Sequence, residues 1–143
     1  MEALVKENPS LSYYRDGLAF SLSGLGRARR RVGDRRAAVA DLRRAIALRE
    51  GLAAMDFEAR YDLARDHALL ASLAGEDESG LAPSETRAHS DRAMDVLKRL
   101  VSEGYRNPKV STQSDFDPLR HRTDFQQLLL DVTFPVEPFA ATR

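Results

Sequence analysis

The densest chemistry in the sequence is cationic: Arg27, Arg29, Arg30, Arg31, Arg35 and Arg36 crowd around a Gly33-Asp34 pair. Guanidinium groups so close together could contact the phosphates of RNA, DNA or a phosphoprotein. Two features oppose that reading. No aromatics are interleaved for base stacking, and the 22 basic residues are balanced by 22 acidic ones, so no global charge draws the chain to nucleic acid or anionic lipid. The histidines, His67, His89 and His121, fall on different predicted elements with no expected close pairing, which disfavours a metal site. His67 is expected to be a partly buried packing residue. Asp115, Asp117 and Asp124 suit turns and helix caps better than a calcium or catalytic cluster. No serine, histidine and acid have the spacing of a nucleophilic triad. The chain has no cysteine, which removes disulfides, thiolate metal sites and a Cys nucleophile. The reading is of a non-enzyme with no catalytic residue, no metal and no cofactor.

Side chains of this kind need elements to hold them, and the sequence is patterned for helices. The 143 residues suit one domain or a few stacked repeats. No run reaches the roughly 20 apolar residues of a membrane span, and the N-terminus lacks the form of a signal peptide. With no cysteine in the chain, the expected location is cytoplasmic. Pro9 opens a first helix after Asn8 as cap. Leu11, Tyr14, Leu18, Leu22 and Leu25 recur every three or four residues and predict its apolar face, ending near Arg31. Gly33 supplies the turn and Asp34 is placed to cap the next helix, which is expected to run from Arg35 to about Ala54 with Ala38, Val39, Leu42, Ala45, Ile46 and Leu52 inward. Two long helices joined by so short a turn must lie antiparallel.

A third helix is expected after Asp56 as cap, carrying Tyr61, Leu63, Ala64, Ala68, Leu69 and Leu73. The polar run Gly75 to Pro83 predicts a loop. Ser84 is expected to cap a fourth helix reaching about Glu103, with Ala93, Met94, Leu97, Leu100 and Val101 inward and Gly104 as terminator. Beyond it, Asp117-Pro118 predicts a helical turn, and Thr123 with Gln126 predicts a capping box for a final helix to about Val132. Phe134 to Phe139, interrupted by two prolines, is expected to be an extended tail.

Long helix, turn, long helix appears twice, as in a solenoid. The stretch Leu22-Ser-Gly-Leu25-Gly26, then Gly33-Asp34, then Ala38, Leu42 and Ala45, resembles a tetratricopeptide (TPR) motif. Gly26 and Ala38 are small where two helices would cross closely, and Leu22, Leu25 and Leu42 are large beside them. The family usually has an aromatic where this chain has Arg29. A second, degenerate copy has Leu63-Ala64 in its first helix and Ala93, Leu97 and Leu100 in its second. The resemblance implies an all-α fold of TPR-like antiparallel hairpins stacked as a short right-handed solenoid, with a C-terminal helical cap and an extended tail. Residues 1–7 would end a preceding repeat helix, 8–55 form hairpin 1, 56–104 form hairpin 2 with a loop insertion at 72–84, and 105–143 form the cap and tail. Tyr61-Asp-Leu-Ala64, Gly104-Tyr105-Arg106, Asp115-Phe-Asp-Pro-Leu119, Asp124-Phe125-Gln126 and Phe134-Pro135 through Pro138-Phe139 together resemble the C-terminal end of bacterial serine/threonine protein kinases that carry TPR arrays. No kinase motif is present in this chain.

By the geometry of the family, the first helices of the hairpins would line a concave, peptide-binding face. That face would hold Phe20, Ser23, Arg27, Arg30 and Arg31 from one hairpin and Glu58, Tyr61, Arg65 and Leu69 from the other. Arg27 and Arg65, one repeat apart, could grip an acidic or C-terminal carboxylate through paired N–H donors; the bland alternative is that both are ordinary surface arginines, solvated or paired with acids. The implied function is binding an unidentified protein or peptide, as part of a larger signalling protein. The alternatives are a structural cap or oligomerisation element, a substrate-positioning tail of a kinase, and, least favoured, nucleic-acid binding. Oligomeric state is left open, and no membrane partner is expected.

Overall fold

In the computed structural model, residues 9–52 and 55–133 are described. Readings that fall on residues 1–8, on Ala53 and Ala54, and on the tail from Phe134 lie outside them. The described chain is all-helical. Helices α1 (Pro9–Arg31), α2 (Arg35–Glu50), α3 (Phe57–Ala74) and α4 (Glu85–Ser102) are followed by two 3-10 turns, Pro108–Ser111 and Ser114–Leu119, and by α5 (Thr123–Thr133).

The α1–α2 turn follows from one glycine. Gly33 has φ +87°, a conformation that costs glycine little. Its N–H bonds Arg30 O at 3.1 Å and the next N–H, of Asp34, bonds Arg29 O at 2.9 Å, the paired closure of a Schellman end. Gly104 repeats the device with φ +95°: its N–H bonds Val101 O and that of Tyr105 bonds Leu100 O, both at 3.0 Å. Asp56 caps α3 as expected, accepting from Ala59 N at 2.8 Å.

Three expected caps differ. The Asp34 and Ser84 side chains make no capping hydrogen bond; at α4 the Glu85 carboxylate accepts from Ala82 N at 2.9 Å instead. Gln126 donates to the Arg120 carbonyl at 3.1 Å rather than closing a box with Thr123. Ser72, Leu73 and Ala74, read into the loop at 72–84, instead complete the last turn of α3.

Helix α3 is the centre of the fold. It is buried on nearly every side, as a helix with apolar residues all round must be. Leu63, Leu69, Leu70 and Leu73 pack with Ala38, Val39, Leu42 and Ile46 of α2. Its Tyr61, Ala64 and Ala68 pack with Ala93, Met94, Leu97 and Leu100 of α4 and with Val110, Phe116, Leu119, Phe125 and Leu128 from the C-terminal segment. Helix α5 is tied down by Asp124, which accepts from Arg122 and lies 3.0 Å from the Lys98 ammonium of α4.

Helix α1 lies along α2, with Ala19 and Leu22 packed against Ala45 and Leu48. At Gly26 the crossing is as close as expected: a Cβ there would lie 3.0 Å from Leu42 Cγ and 3.3 Å from the Ala38 carbonyl oxygen. The stripe read as its buried face is displaced. Of Leu11, Tyr14, Leu18, Leu22 and Leu25, only Leu22 is buried, and Leu25 does not fill space beside the crossing but stands 42% exposed.

Candidate functional site

Ser23, Arg49 and Asp66 come from three different helices and meet in the interior. The Arg49 and Asp66 side chains are both 0% exposed, with Arg49 Nη1 2.5 Å from Asp66 Oδ2. The Ser23 hydroxyl donates to the same carboxylate at 2.9 Å and accepts from Arg49 at 2.8 Å. Burial pushes the Asp66 carboxyl up to about 6, against the pull of Arg49, Arg27 and the Ser23 hydroxyl. The two guanidiniums and the hydroxyl favour its ionised form, and the network joins α1, α2 and α3. Ser23, expected on an open face, is a buried member of this network.

Arg27 and Arg65 do come together over one carboxylate, but it belongs to the chain itself. Asp115, in the second 3-10 turn, accepts from Arg27 Nε at 3.1 Å and from Arg65 Nε at 2.8 Å. Gln113 lies between Arg65 and the Tyr61 hydroxyl: its amide oxygen accepts from Arg65 Nη2 at 2.9 Å and its nitrogen donates to the hydroxyl at 2.8 Å. Both arginines are thus paired with an acid of the same chain, as the bland alternative had it, and neither is free to grip a guest carboxylate.

Most of the basic cluster is neutralised in the same way. Arg29 pairs with Asp41 through both carboxylate oxygens. Arg30 and Arg35 share Glu76 at 2.7 and 2.9 Å. Arg31 and Arg36 are exposed. A phosphate-binding surface would need these groups free, and four of the six are held by acids of the same chain. Leu69 is also corrected: it is a core residue, not a surface one.

Among the described residues, one open feature is a cleft of about 500 Å³ between α1, α3 and the first 3-10 turn; another, of about 590 Å³, lies between α4 and α5. Phe20, Glu58, Tyr61 and Arg65 line the first as the concave-face reading expected; Ser23, Arg27, Arg30, Arg31 and Leu69 do not. It also takes Tyr13, Asp16, Asp56, Asp62 and Lys109, which sequence reasoning missed. Tyr13 and Phe20 stand 79% and 66% exposed on its α1 side. Gly17 lies between them, with nothing within 4 Å of where its Cβ would be, which leaves the floor open. The missed residues did carry a signal. Tyr13, Asp16 and Phe20 recur at three- and four-residue spacing, a second α1 stripe opposite the one taken as core. No family model, no curated protein and no solved structure matches this chain.

Glu58 accepts from the Tyr105 hydroxyl at 3.0 Å, and Asp62 lies 3.2 Å from Arg65 and 3.7 Å from Arg49. Asp16 makes no hydrogen bond or ion pair among the described residues. Burial raises its pKa, opposed by Arg49 and reinforced by Asp56 and Asp62.

His67 and His89 lie closer than the sequence implied: their Nδ1 atoms are 3.1 Å apart and the rings stack at 5.3 Å. His67 is buried, as expected of a packing residue. No group of three or more His, Cys, Asp or Glu placed to hold a metal occurs among the described residues. Nor does any described helix have the length and apolarity to cross a membrane.

Proposed function

We propose that this chain is a TPR-type helical-hairpin module that binds a protein or peptide in the cleft between α1 and α3, without catalysis of its own. One observation carries the reading: two large aromatics, Tyr13 and Phe20, stand in solvent at the mouth of a concave site of about 500 Å³. Leaving rings of that size exposed beside a cleft forgoes burial that folding would otherwise gain. The volume lies within the roughly 300–1,000 Å³ of ligand-binding sites. The Gly26 crossing and the stacking of α2 on α3 support the TPR-type reading, and the solenoid architecture belongs to this proposal. Placement as part of a larger signalling protein, such as a TPR-bearing kinase, rests on the sequence resemblance.

A structural-cap role for the C-terminal segment has support of its own. Phe116, Leu119 and Phe125 are each 0% exposed and close the far side of α3 and α4.

The test is selection of random displayed peptides on the full chain, then affinity measurement against a Tyr13→Ala/Phe20→Ala variant. Both rings are exposed, so the variant is expected to fold. Selected peptides should lose tenfold or more in affinity, on the order of the 1.4 kcal/mol that such a factor represents. Equal binding to the variant, or no enrichment at all, would overturn the proposal.

A further inference from the structure

We infer that the occupant of this cleft is an extended peptide carrying a basic side chain, arginine above all, whose guanidinium pairs with Asp16 between Tyr13 and Phe20. The inference rests on the cleft being a peptide site and names the chemistry of the guest.

The lining is charged unevenly. Asp16, Asp56, Glu58 and Asp62 contribute four carboxylates; Asp62 faces Arg65 and Arg49, Asp56 caps α3 and Glu58 accepts from Tyr105, so Asp16 is the one with no such hold among the described residues. Of the two lining cations, Arg65 is already committed to Asp115 and Asp62, leaving Lys109 on the 3-10 side. The buried Arg49 lies behind Asp62 and is wholly withdrawn from solvent. An acidic guest would meet like charge at Asp16 and would have to displace Asp115 to reach Arg27 and Arg65. A cationic guest finds Asp16 with no hydrogen bond or ion pair among the described residues and, of cations, only the buried Arg49 acting on it from a distance, in a partly dehydrated position where ion pairing is stronger than at an open surface.

The aromatics narrow the choice further. Tyr13 and Phe20 are one turn before and one turn after Asp16 on the same helix. Their faces can cover the stem of a long side chain and attract its cation. Arginine suits this better than lysine, because a planar guanidinium stacks on a ring while its edge donates two parallel hydrogen bonds to a carboxylate.

The test uses the full chain and three labelled decapeptides, identical in their aromatic and proline residues, whose two central positions are Arg-Arg, Gln-Gln or Glu-Glu. Fluorescence anisotropy should rank Arg-Arg first by about tenfold over Gln-Gln, with an affinity that weakens as salt is added. Asp16→Asn should erase that preference, bringing Arg-Arg and Gln-Gln to within about twofold of each other, its thermal melt confirming the fold. Phe20→Ala should weaken all three. If Arg-Arg and Gln-Gln bind alike and Phe20→Ala weakens both, the peptide cleft stands and the charge inference fails. A Glu-Glu preference would also sink the inference and point to displacement of Asp115. Self-association of the free protein, abolished by Phe20→Ala, would assign the cleft to a second copy instead. If no decapeptide binds, and none shifts the amide resonances of Tyr13, Asp16 or Phe20, both this inference and the peptide reading fall.

Discussion

His67 and His89 share one proton-sized gap on the interface between α3 and α4, and that makes the hairpin sensitive to acid. Burial, His89 and Arg92 lower the His67 pKa from 6.5 to about 4, and burial also lowers that of His89, with Arg92 and Arg43 acting in the same direction and Glu85 against them. A folded His67 stays neutral where the unfolded chain takes up a proton. Stability from this site is therefore whole above pH 6.5 and is lost progressively as pH falls toward about 4, at up to roughly 1.4 kcal/mol per pH unit. Asp66 works against it over the same range, because its raised pKa makes protonation favour the fold. The clean measurement is the difference in melting temperature between the wild type and His67→Phe. That difference should shift in favour of the variant by several degrees between pH 7 and pH 4.5. A difference constant across that range would mean that the histidine pair does not titrate with folding. The neighbouring Arg49–Asp66 pair belongs to the same scale. Removing either partner alone strands a buried charge, typically about 3–5 kcal/mol, so the network determines how three helices meet more than how strongly.

Helix positions were legible from periodicity, but helix faces were legible only where a second constraint acted. The inward residues read on α2 and α4 are buried except for Leu52, which lies beyond the end of α2 at Glu50, and Val101, both half-buried; α3 is buried nearly all round, so that Leu69, read also onto the open face, is core. Helix α1 has two stripes, and the stronger one, Leu11, Tyr14, Leu18 and Leu25, faces away from the core. What turns α1 the other way is not hydrophobicity. Gly26 admits Leu42, and Ser23 and Arg27 reach Asp66; partners so distant in sequence leave no periodic trace. The cleft was half-legible for the same reason, since Asp16 and Tyr13 belong to it only once α1 is rotated so. Caps at Asp34 and Ser84 were misread because residue type permits a cap without requiring one. The rotation predicts unequal substitutions along α1. Gly26→Leu must push its side chain into Leu42 and should cost about 2 kcal/mol or more in urea denaturation. Leu18→Gln, on the outward stripe, should change stability by no more than about 0.5 kcal/mol. Equal effects would place the crossing elsewhere.

At the scale of the whole molecule, Asp115 is the clasp. It joins Arg27 to a residue 88 positions later and Arg65 to one 50 positions later. Asp115→Ala should lower stability by about 2 kcal/mol or more, since two part-buried guanidiniums lose a charged acceptor. Hydrogen exchange should quicken in both α1 and α3. Quickening in α3 alone would show that Arg27 contributes nothing to the hold. The span of this contact also orders events during synthesis. When both hairpins have left the ribosome but Ser114–Leu119 has not, Arg27 and Arg65 face a vacant seat, although α1 already has its crossing at Gly26 and its Ser23–Asp66 contact. The nascent chain is then at its most anion-hungry, and a passing carboxylate or phosphate would meet there the grip that the finished protein reserves for itself.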